Sequence, residues 1–247
     1  MTDYALLFGV GLVAGALNVI AGGGSFLTLP ILIFLGLPAT VANGTNRVGI
    51  FLQNVAAVWG FNRHKVMDWR YVLWAAVPAT FGAGLGTWAA VSIGDAAFRR
   101  VLAFLMIAVT LWTLWDPLRK HRAFLNPGDR PRVGWLAAGF FVVGIYGGFV
   151  QAGVGFLILA TTTLAGLDLV RGNAVKVLSV LVYTALSLGL FAWQDKVVWD
   201  LGLALAVGTV AGSQVGVRLT VLKGHGWVKG VVTVAVVVFA VKLLLMG

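Results

Sequence analysis

Apolar runs long enough to cross a lipid bilayer recur from one end of this 247-residue chain to the other. A helix needs about 20 mainly apolar residues to cross a hydrocarbon core about 30 Å thick. The chain is 60 % hydrophobic and 11 % charged, whereas a soluble domain carries about 25 % charged residues. The sequence therefore predicts an all-α, polytopic membrane protein.

The second half of the sequence echoes the first at a constant offset of 130 residues. Matching pairs are Gly23 and Gly153, Phe26 and Phe156, Gly36 and Gly166, Asn43 and Asn173, and Trp69 and Trp199. Internal duplication in a membrane chain is typical of secondary transporters, whose substrate site lies where the two repeats meet. We therefore expect a first transmembrane repeat at 1–115, a basic cytoplasmic linker at 116–132 and a second transmembrane repeat at 133–247.

Each repeat divides into five apolar segments, which gives about 8–10 membrane segments. They are predicted at 4–21, 25–36, 40–61, 71–93 and 98–115, and again at 134–151, 155–166, 171–193, 201–217 and 228–246. A helix over 25–36 is about 18 Å long at 1.5 Å per residue, too short to span. Glycines precede both short segments, so each repeat is expected to hold a broken or re-entrant short helix, the best pointer to a transporter's binding site.

Basic loops predict the orientation of the chain in the membrane. The loop at 62–70 and the linker are both basic and are separated by two spans, so both are expected in the cytoplasm. In the first half the basic loop at 62–70 follows the third apolar segment. In the second half the basic loop, with Arg218, Lys223 and Lys229, follows the fourth segment instead. This shift favours inverted repeats and an external N-terminus, with parallel repeats as the alternative.

Two cations lie inside apolar segments. Arg47 and Lys176 are five to seven residues into their segments, roughly 8–10 Å along a helix axis. A cation at that depth costs a few kcal/mol or more unless it faces a cavity or a partner. All eight acidic residues are Asp, and none lies at comparable depth. Either the missing negative charge belongs to a substrate, or both side chains extend to the nearer interface.

The glycine breaks support the substrate interpretation. The N-termini of the short helices would direct N–H groups and the positive end of the helix dipole at the break, which favours an anion. Asparagine, glutamine and hydroxyl groups, Asn54 among them, could add hydrogen bonds. The predicted substrate-binding residues are Asn18, Gly22, Gly23, Gly24, Ser25, Asn43, Thr45, Asn46, Arg47, Gln151, Gly153, Gly155, Asn173 and Lys176. For the glycines, close helix packing is the alternative, as expected for Gly82, Gly86, Gly212 and Gly216.

Other functional classes fit less well. The chain has no cysteine, and its three histidines fall in predicted loops, which disfavours an intramembrane enzyme or a metal site. We expect no cofactor. The formal charge of +10 follows from topology rather than from a nucleic-acid partner. The expected partners are a small anionic substrate and membrane lipid, and a homodimer stays open.

One stretch resembles a known family. Residues 15–30, Gly-Ala-Leu-Asn-Val-Ile-Ala-Gly-Gly-Gly-Ser-Phe-Leu-Thr-Leu-Pro, followed by Ala-Asn-Gly-Thr-Asn at 42–46, resemble the sulfite exporter TauE/SafE family, also called the toluene sulfonate uptake permease family. The resemblance covers essentially the whole chain. The second-half copy departs from it, with Gln151-Ala152-Gly153-Val154-Gly155, and with Ala160 where the first half has Pro30.

The resemblance implies transport of sulfite or organosulfonates across a bacterial inner membrane by a multi-pass protein. We therefore expect a secondary transporter, acting as an exporter, with alternating access around a midplane anion site. The alternatives are an anion channel and a carrier of a different small carboxylate or inorganic anion.

Overall fold

The computed structural model describes residues 2–115 and 131–245, which form nine α-helices and no strand. The helices are α1 (Thr2–Ile20), α2 (Ser25–Phe34), α3 (Ala39–Arg63), α4 (Trp69–Ser92), α5 (Asp95–Trp115), α6 (Val133–Phe149), α7 (Val154–Leu164), α8 (Leu169–Trp193) and α9 (Trp199–Leu245). The predicted all-α class is confirmed. Most of the predicted linker, 116–130, lies outside the described residues, so the division into repeats stays a prediction.

Four of the described helices are long and apolar enough to cross a bilayer. These are α1, α4, the stretch Val170–Trp193 of α8 and the stretch Trp199–Leu222 of α9. Three shorter helices, α2, α6 and α7, are also apolar. Length and composition therefore agree with a membrane protein.

The helix breaks recur at the offset that the sequence predicts. α2 has 10 residues and α7 has 11, and both end in the same way. Gly36 and Gly166 follow these helices with φ of 93° and 97°, a left-handed conformation that glycine adopts without a steric penalty. Their N–H groups bond back to Ile33 and Thr163 respectively, which closes both C-termini with the same motif. The duplication thus extends from sequence to local backbone geometry.

Glycines allow the longer helices to pack with their backbones in contact. α1 packs along α9, and α4 packs along α6. A Cβ at Gly86 in α4 would lie 1.9 Å from the carbonyl oxygen of Ile145, and one at Gly212 in α9 would lie 1.9 Å from that of Leu12. Small residues at these positions let the helices approach closely, as expected for membrane interfaces.

One predicted boundary is wrong. The segments expected at 201–217 and 228–246, with a basic loop between them, belong to the single helix α9. The predicted loop at 218–227 contains no proline, and its two glycines, Gly224 and Gly226, each cost only about 1 kcal/mol relative to alanine in a helix. Glycine and basic residues alone therefore did not end the helix.

Candidate anion-binding site

The N-terminal ends of α2 and α7 meet in the interior. Gly22 lies in the turn before α2, and Gly155 lies in the first turn of α7. A Cβ added at Gly22 would come 2.1 Å from the Cα of Gly155, and one at Gly155 would come 2.2 Å from the Cα of Gly22. Next to them the rings of Phe26 and Phe156 stack with centroids 6.3 Å apart. Only glycine at both positions allows the two breaks to approach this closely.

A small cavity of about 20 Å³ lies beside this junction, large enough for about one water molecule. Its wall contains six of the predicted site residues, which come from both halves of the chain: Asn18, Gly22, Ser25, Gln151, Gly155 and Lys176. Gln53 and Asn54 of α3 complete its polar lining. The structure thus brings part of the predicted site together around one cavity.

Lys176 is a buried wall residue of this cavity, 3 % exposed. Its Nζ donates hydrogen bonds to the carbonyl oxygens of Asn18 at 2.9 Å and Val19 at 2.8 Å, and to the Oδ1 atom of Asn173. The two carbonyls belong to the last turn of α1, where helix carbonyls lack internal partners and the helix dipole favours a cation. All three N–H donors of the ammonium group are therefore used.

Arg47, in the first half of the chain, bonds to helix carbonyls in a way that corresponds to Lys176. It is fully buried in α3, and its Nη2 donates to the carbonyl oxygens of Gly147 at 3.1 Å and Gly148 at 2.6 Å, in the last turns of α6. Its guanidinium carbon lies 4.8 Å from the centroid of the Phe191 ring. Neither Arg47 nor Lys176 extends to an interface, so that alternative is wrong for both.

Helix carbonyls supply part of the negative charge that the sequence argument assigned to a substrate. A helix C-terminus carries about half an elementary negative charge. Among the described residues, neither Arg47 nor Lys176 forms a salt bridge. The carbonyls therefore stabilise both cations, and no carboxylate of the described residues pairs with either.

Several predicted residues connect helices instead of lining the cavity. Asn46 donates to the Ser25 hydroxyl at 3.3 Å and accepts from Thr28 at 2.6 Å, which ties α3 to α2. The Thr45 hydroxyl accepts from the backbone N–H of Val198 at 3.0 Å. Eight predicted residues lie outside the cavity wall: Gly23, Gly24, Asn43, Thr45, Asn46, Arg47, Gly153 and Asn173.

Asn43 and Asn173 occupy equivalent positions in the two halves and make equivalent hydrogen bonds. The side-chain N–H₂ group of Asn43 donates to the carbonyl oxygen of Phe149 at 2.9 Å, and that of Asn173 donates to Ile20 at 3.2 Å. Each amide therefore bonds to the end of the first helix of the opposite half. This pairing fixes the C-termini of α1 and α6 next to the helix breaks.

Gln53 is the cavity residue that sequence reasoning missed. It is 2 % exposed, and its Oε1 atom accepts from the Asn18 amide at 3.4 Å. Because this contact uses the carbonyl oxygen, the amide N–H₂ group of Gln53 remains to donate to a ligand. A polar residue seven positions after Asn46 lies on the same face of a helix, and that spacing could have identified it.

The length and composition of the described helices are those of a helical membrane protein. The family model for the sulfite exporter TauE/SafE matches residues 7–243, and the chain belongs to this family. The chain is 30 % identical to a probable membrane transporter protein of Haemophilus influenzae, over 97 % of this chain and 93 % of the relative. It is 29 % identical to the probable membrane transporter protein YfcA of Escherichia coli K12, over 97 % and 88 %.

A third relative, the probable membrane transporter protein ORF9 of a Sinorhizobium species, is 27 % identical over 97 % of this chain and 92 % of its own. No solved structure matches the chain. The names of these relatives describe transport and indicate no catalytic function, in agreement with the expectation that the protein is not an enzyme.

Proposed function

We propose that this protein is a secondary transporter that exports a small sulfur-containing oxyanion, sulfite or an organosulfonate, across a bacterial inner membrane. The observation that carries the proposal is a cavity lined by Lys176 at the junction of two helix breaks, in an interior that holds a second buried cation, Arg47. The membership in the TauE/SafE family supports the sulfur anion as the substrate class.

The cavity offers an anion three favourable features. The charge of Lys176 acts across the cavity in a medium of low dielectric constant, where it is worth several times its value in water. The amide of Gln53 can donate a hydrogen bond. The N-termini of α2 and α7 add the positive ends of two helix dipoles. Together these features favour an anion over a neutral or cationic ligand.

A sulfite ion is larger than one water molecule, so a cavity of about 20 Å³ must widen to admit it. We propose that α1 with α9 and α4 with α6, which pack through close backbone contacts, move as units and open the cavity to each side in turn. In this proposal the halves are inverted repeats, α2 and α7 are re-entrant helices, and the N-terminus is external.

The membrane potential can drive export. No carboxylate lies in the wall of the described cavity, so the wall offers neither a carboxylate proton relay nor a carboxylate ligand for sodium. An anion leaving a cell that is negative inside gains about 2.3 kcal/mol per charge for each 100 mV. Export of a monovalent anion therefore needs no coupling ion.

A ligand screen tests the substrate class. The purified protein in detergent is heated in the presence of sulfite, sulfate, thiosulfate, sulfoacetate, taurine or acetate, with sulfite kept free of oxygen. An anion at 100 times its dissociation constant stabilises the native state by about 2.7 kcal/mol. We expect sulfite or sulfoacetate to raise the melting temperature, and a response to acetate alone would contradict the proposal.

Counterflow separates the carrier from the channel. Proteoliposomes loaded with unlabelled anion should take up labelled anion transiently against its gradient, because a carrier exchanges one substrate for another. A channel shows no such overshoot and gives a current that rises with concentration without saturation. Absence of counterflow together with a large conductance would replace the carrier with the anion channel.

A further inference from the structure

A group of buried polar atoms around Arg47 lacks hydrogen-bond partners. The described residues contain seven buried side-chain nitrogen or oxygen atoms without a partner. Five of the seven belong to four residues: Nε and Nη1 of Arg47, Oδ1 of Asn43, Oε1 of Gln151 and the hydroxyl of Tyr183. Native proteins bury few such atoms, and each needs an explanation such as a bound water or ion.

These four residues lie together. Asn43 and Arg47 are one turn apart on α3. The Gly147 carbonyl accepts from Arg47, and a Cβ at Gly147 would come 2.8 Å from the Tyr183 hydroxyl. Gln151, which also lines the Lys176 cavity, donates to Thr184, the residue that follows Tyr183 in α8. The unpartnered atoms therefore form one cluster, the Arg47 cluster, that adjoins the cavity through Gln151.

The donors of this cluster favour an anion, whereas two of its five unpartnered atoms, Oδ1 of Asn43 and Oε1 of Gln151, are acceptors that do not bond to one. Nε and Nη1 of Arg47 carry three N–H donors, and the Tyr183 hydroxyl can supply a fourth. The Phe191 ring offsets part of the guanidinium charge but accepts none of these hydrogen bonds in the structure. A water molecule would satisfy some donors and leave the charge uncompensated, whereas an oxyanion satisfies the donors and the charge together.

The duplication relates the Arg47 cluster to the cavity. Adding 130 to Gln53 and Asn54, which line the cavity beside Lys176, gives Tyr183 and Thr184. Thr184 accepts from the Gln151 amide at 2.7 Å. In the first half, these two positions supply polar side chains to the Lys176 cavity. In the second half, Tyr183 belongs to the Arg47 cluster and Thr184 bonds to Gln151 of that cluster.

We infer that Arg47 and Tyr183 form a second binding station for a small oxyanion, adjacent to the Lys176 cavity and built around the buried cation of the other half of the chain. This inference rests on the proposed function, because the anion is the transported substrate. Two buried cations then hold two monovalent anions, and Gln151, which lines the Lys176 cavity, adjoins both stations.

Equilibrium dialysis of the purified protein against [³⁵S]sulfite in oxygen-free buffer tests the inference. We expect two sulfite ions per chain at saturation for the wild type, and for Tyr183→Phe, which removes a hydroxyl and no charge, a dissociation constant for the second ion that is about 10- to 150-fold higher. Ser179→Ala is the matched control, because Ser179 is another buried, unpartnered hydroxyl of α8 outside both stations. It should keep two ions per chain with the wild-type dissociation constant for the second ion.

One ion per chain in the wild type, or an unchanged second dissociation constant in Tyr183→Phe, would overturn the second station while leaving the proposed function intact. If the wild type binds no sulfite, the same dialysis with ³⁶Cl⁻ and [¹⁴C]acetate judges the station by itself. Two ions of either anion, the second bound more weakly in Tyr183→Phe, would retain the station and reject the sulfur substrate. No binding of any anion would reject both.

Discussion

The two buried cations share one structural solution and differ in what they leave free. Lys176 and Arg47 each bond to the carbonyls that end the first helix of the opposite half, α1 or α6. Lys176 uses every donor and lines a cavity, whereas Arg47 keeps three donors free and lines none that the structure describes. The bonds to helix carbonyls hold the two halves together, whereas the cavity beside Lys176 and the free donors of Arg47 are available for ligand binding.

The difference has a simple origin in the register. At the offset of 130, Lys176 matches Asn46 and not Arg47. One residue along a helix turns a side chain by about 100°, since a turn holds 3.6 residues. The two cations therefore leave α3 and α8 in different directions relative to their own repeats. A duplicated scaffold can thus present two unlike sites.

The largest expected effect comes from the junction that keeps the two clusters together. Gly155→Ala places a Cβ 2.2 Å from the Cα of Gly22, and neither backbone can yield without shifting α2 or α7. Overpacking of this kind costs about 1–3 kcal/mol or more. We expect a severe loss of monodisperse protein on size-exclusion chromatography.

Gly189→Ala is the control for that substitution, because Gly189 is an exposed helical glycine with no atom within 4 Å of a Cβ. It should leave the yield unchanged or raise it, since alanine favours a helix by about 1 kcal/mol. Equal yields of the two variants would mean that the close approach of Gly22 and Gly155 is not required.

Removing each cation in turn tests whether the two clusters differ in stability. Lys176→Met leaves two carbonyls and the Asn173 amide oxygen without their donor at about 1–3 kcal/mol each, and the loss of a buried charge, which is costly to desolvate, offsets part of that sum. Arg47→Met leaves two carbonyls unpaired but also removes three unpartnered N–H groups. We expect melting temperatures in the order wild type, Arg47→Met, Lys176→Met, measured without added anion.

The reverse order would mean that the free donors of Arg47 are occupied in the isolated protein. Adding the stabilising anion should raise the melting temperature of the wild type most. Both variants should lose much of this response, because each lacks one positive charge of the interior.

A smaller effect separates binding from folding at the cavity. Gln53→Leu removes an amide donor from the wall and one hydrogen bond of 3.4 Å, which is long and therefore weak. We expect anion affinity to fall about 10- to 150-fold, since a hydrogen bond to a charged group contributes about 1.5–3 kcal/mol, with little change in stability. Gln214→Leu, which removes an amide bonded to the Ala56 carbonyl away from the cavity, should keep wild-type affinity.

Much of the fold follows from the sequence because its signals are local. Apolar runs and glycine breaks predict α1 to α8 within a few residues, and the structure adds that the matched Gly36 and Gly166 share one backbone conformation. The break expected before 228 failed because nothing there forbids a helix. Local chemistry therefore decides where elements begin and end.

The candidate site was only partly predictable because its partners come from distant parts of the chain. Sequence identified Arg47 and Lys176 as cations that need compensation, but not that helix C-termini about 100 to 160 residues away provide part of it. Carbonyl groups carry no sequence signal, since every residue has one. For the same reason, Gln53 and Tyr183 became recognisable as site residues only once α3 and α8 were placed beside the breaks.

The smallest expected effect concerns how the two halves begin their long polar helices. The position of Pro38, before α3, is matched at the offset of 130 by Asp168, before α8. The Oδ1 atom of Asp168 accepts from the N–H groups of Val170 at 2.9 Å and Arg171 at 3.0 Å, which caps α8. Asp168→Ala should cost about 1 kcal/mol of stability, a fall of about 2–4 °C in melting temperature, with unchanged anion affinity.

Arg171→Ala distinguishes this cap from the ion pair between the two side chains. That pair is 3.5 Å long and exposed, so its loss should cost no more than about 0.5 kcal/mol. Equal losses for the two variants would assign the stability to the ion pair and not to the cap. An altered anion affinity in Asp168→Ala would instead mean that the start of α8 affects Lys176, which lies two turns further along that helix.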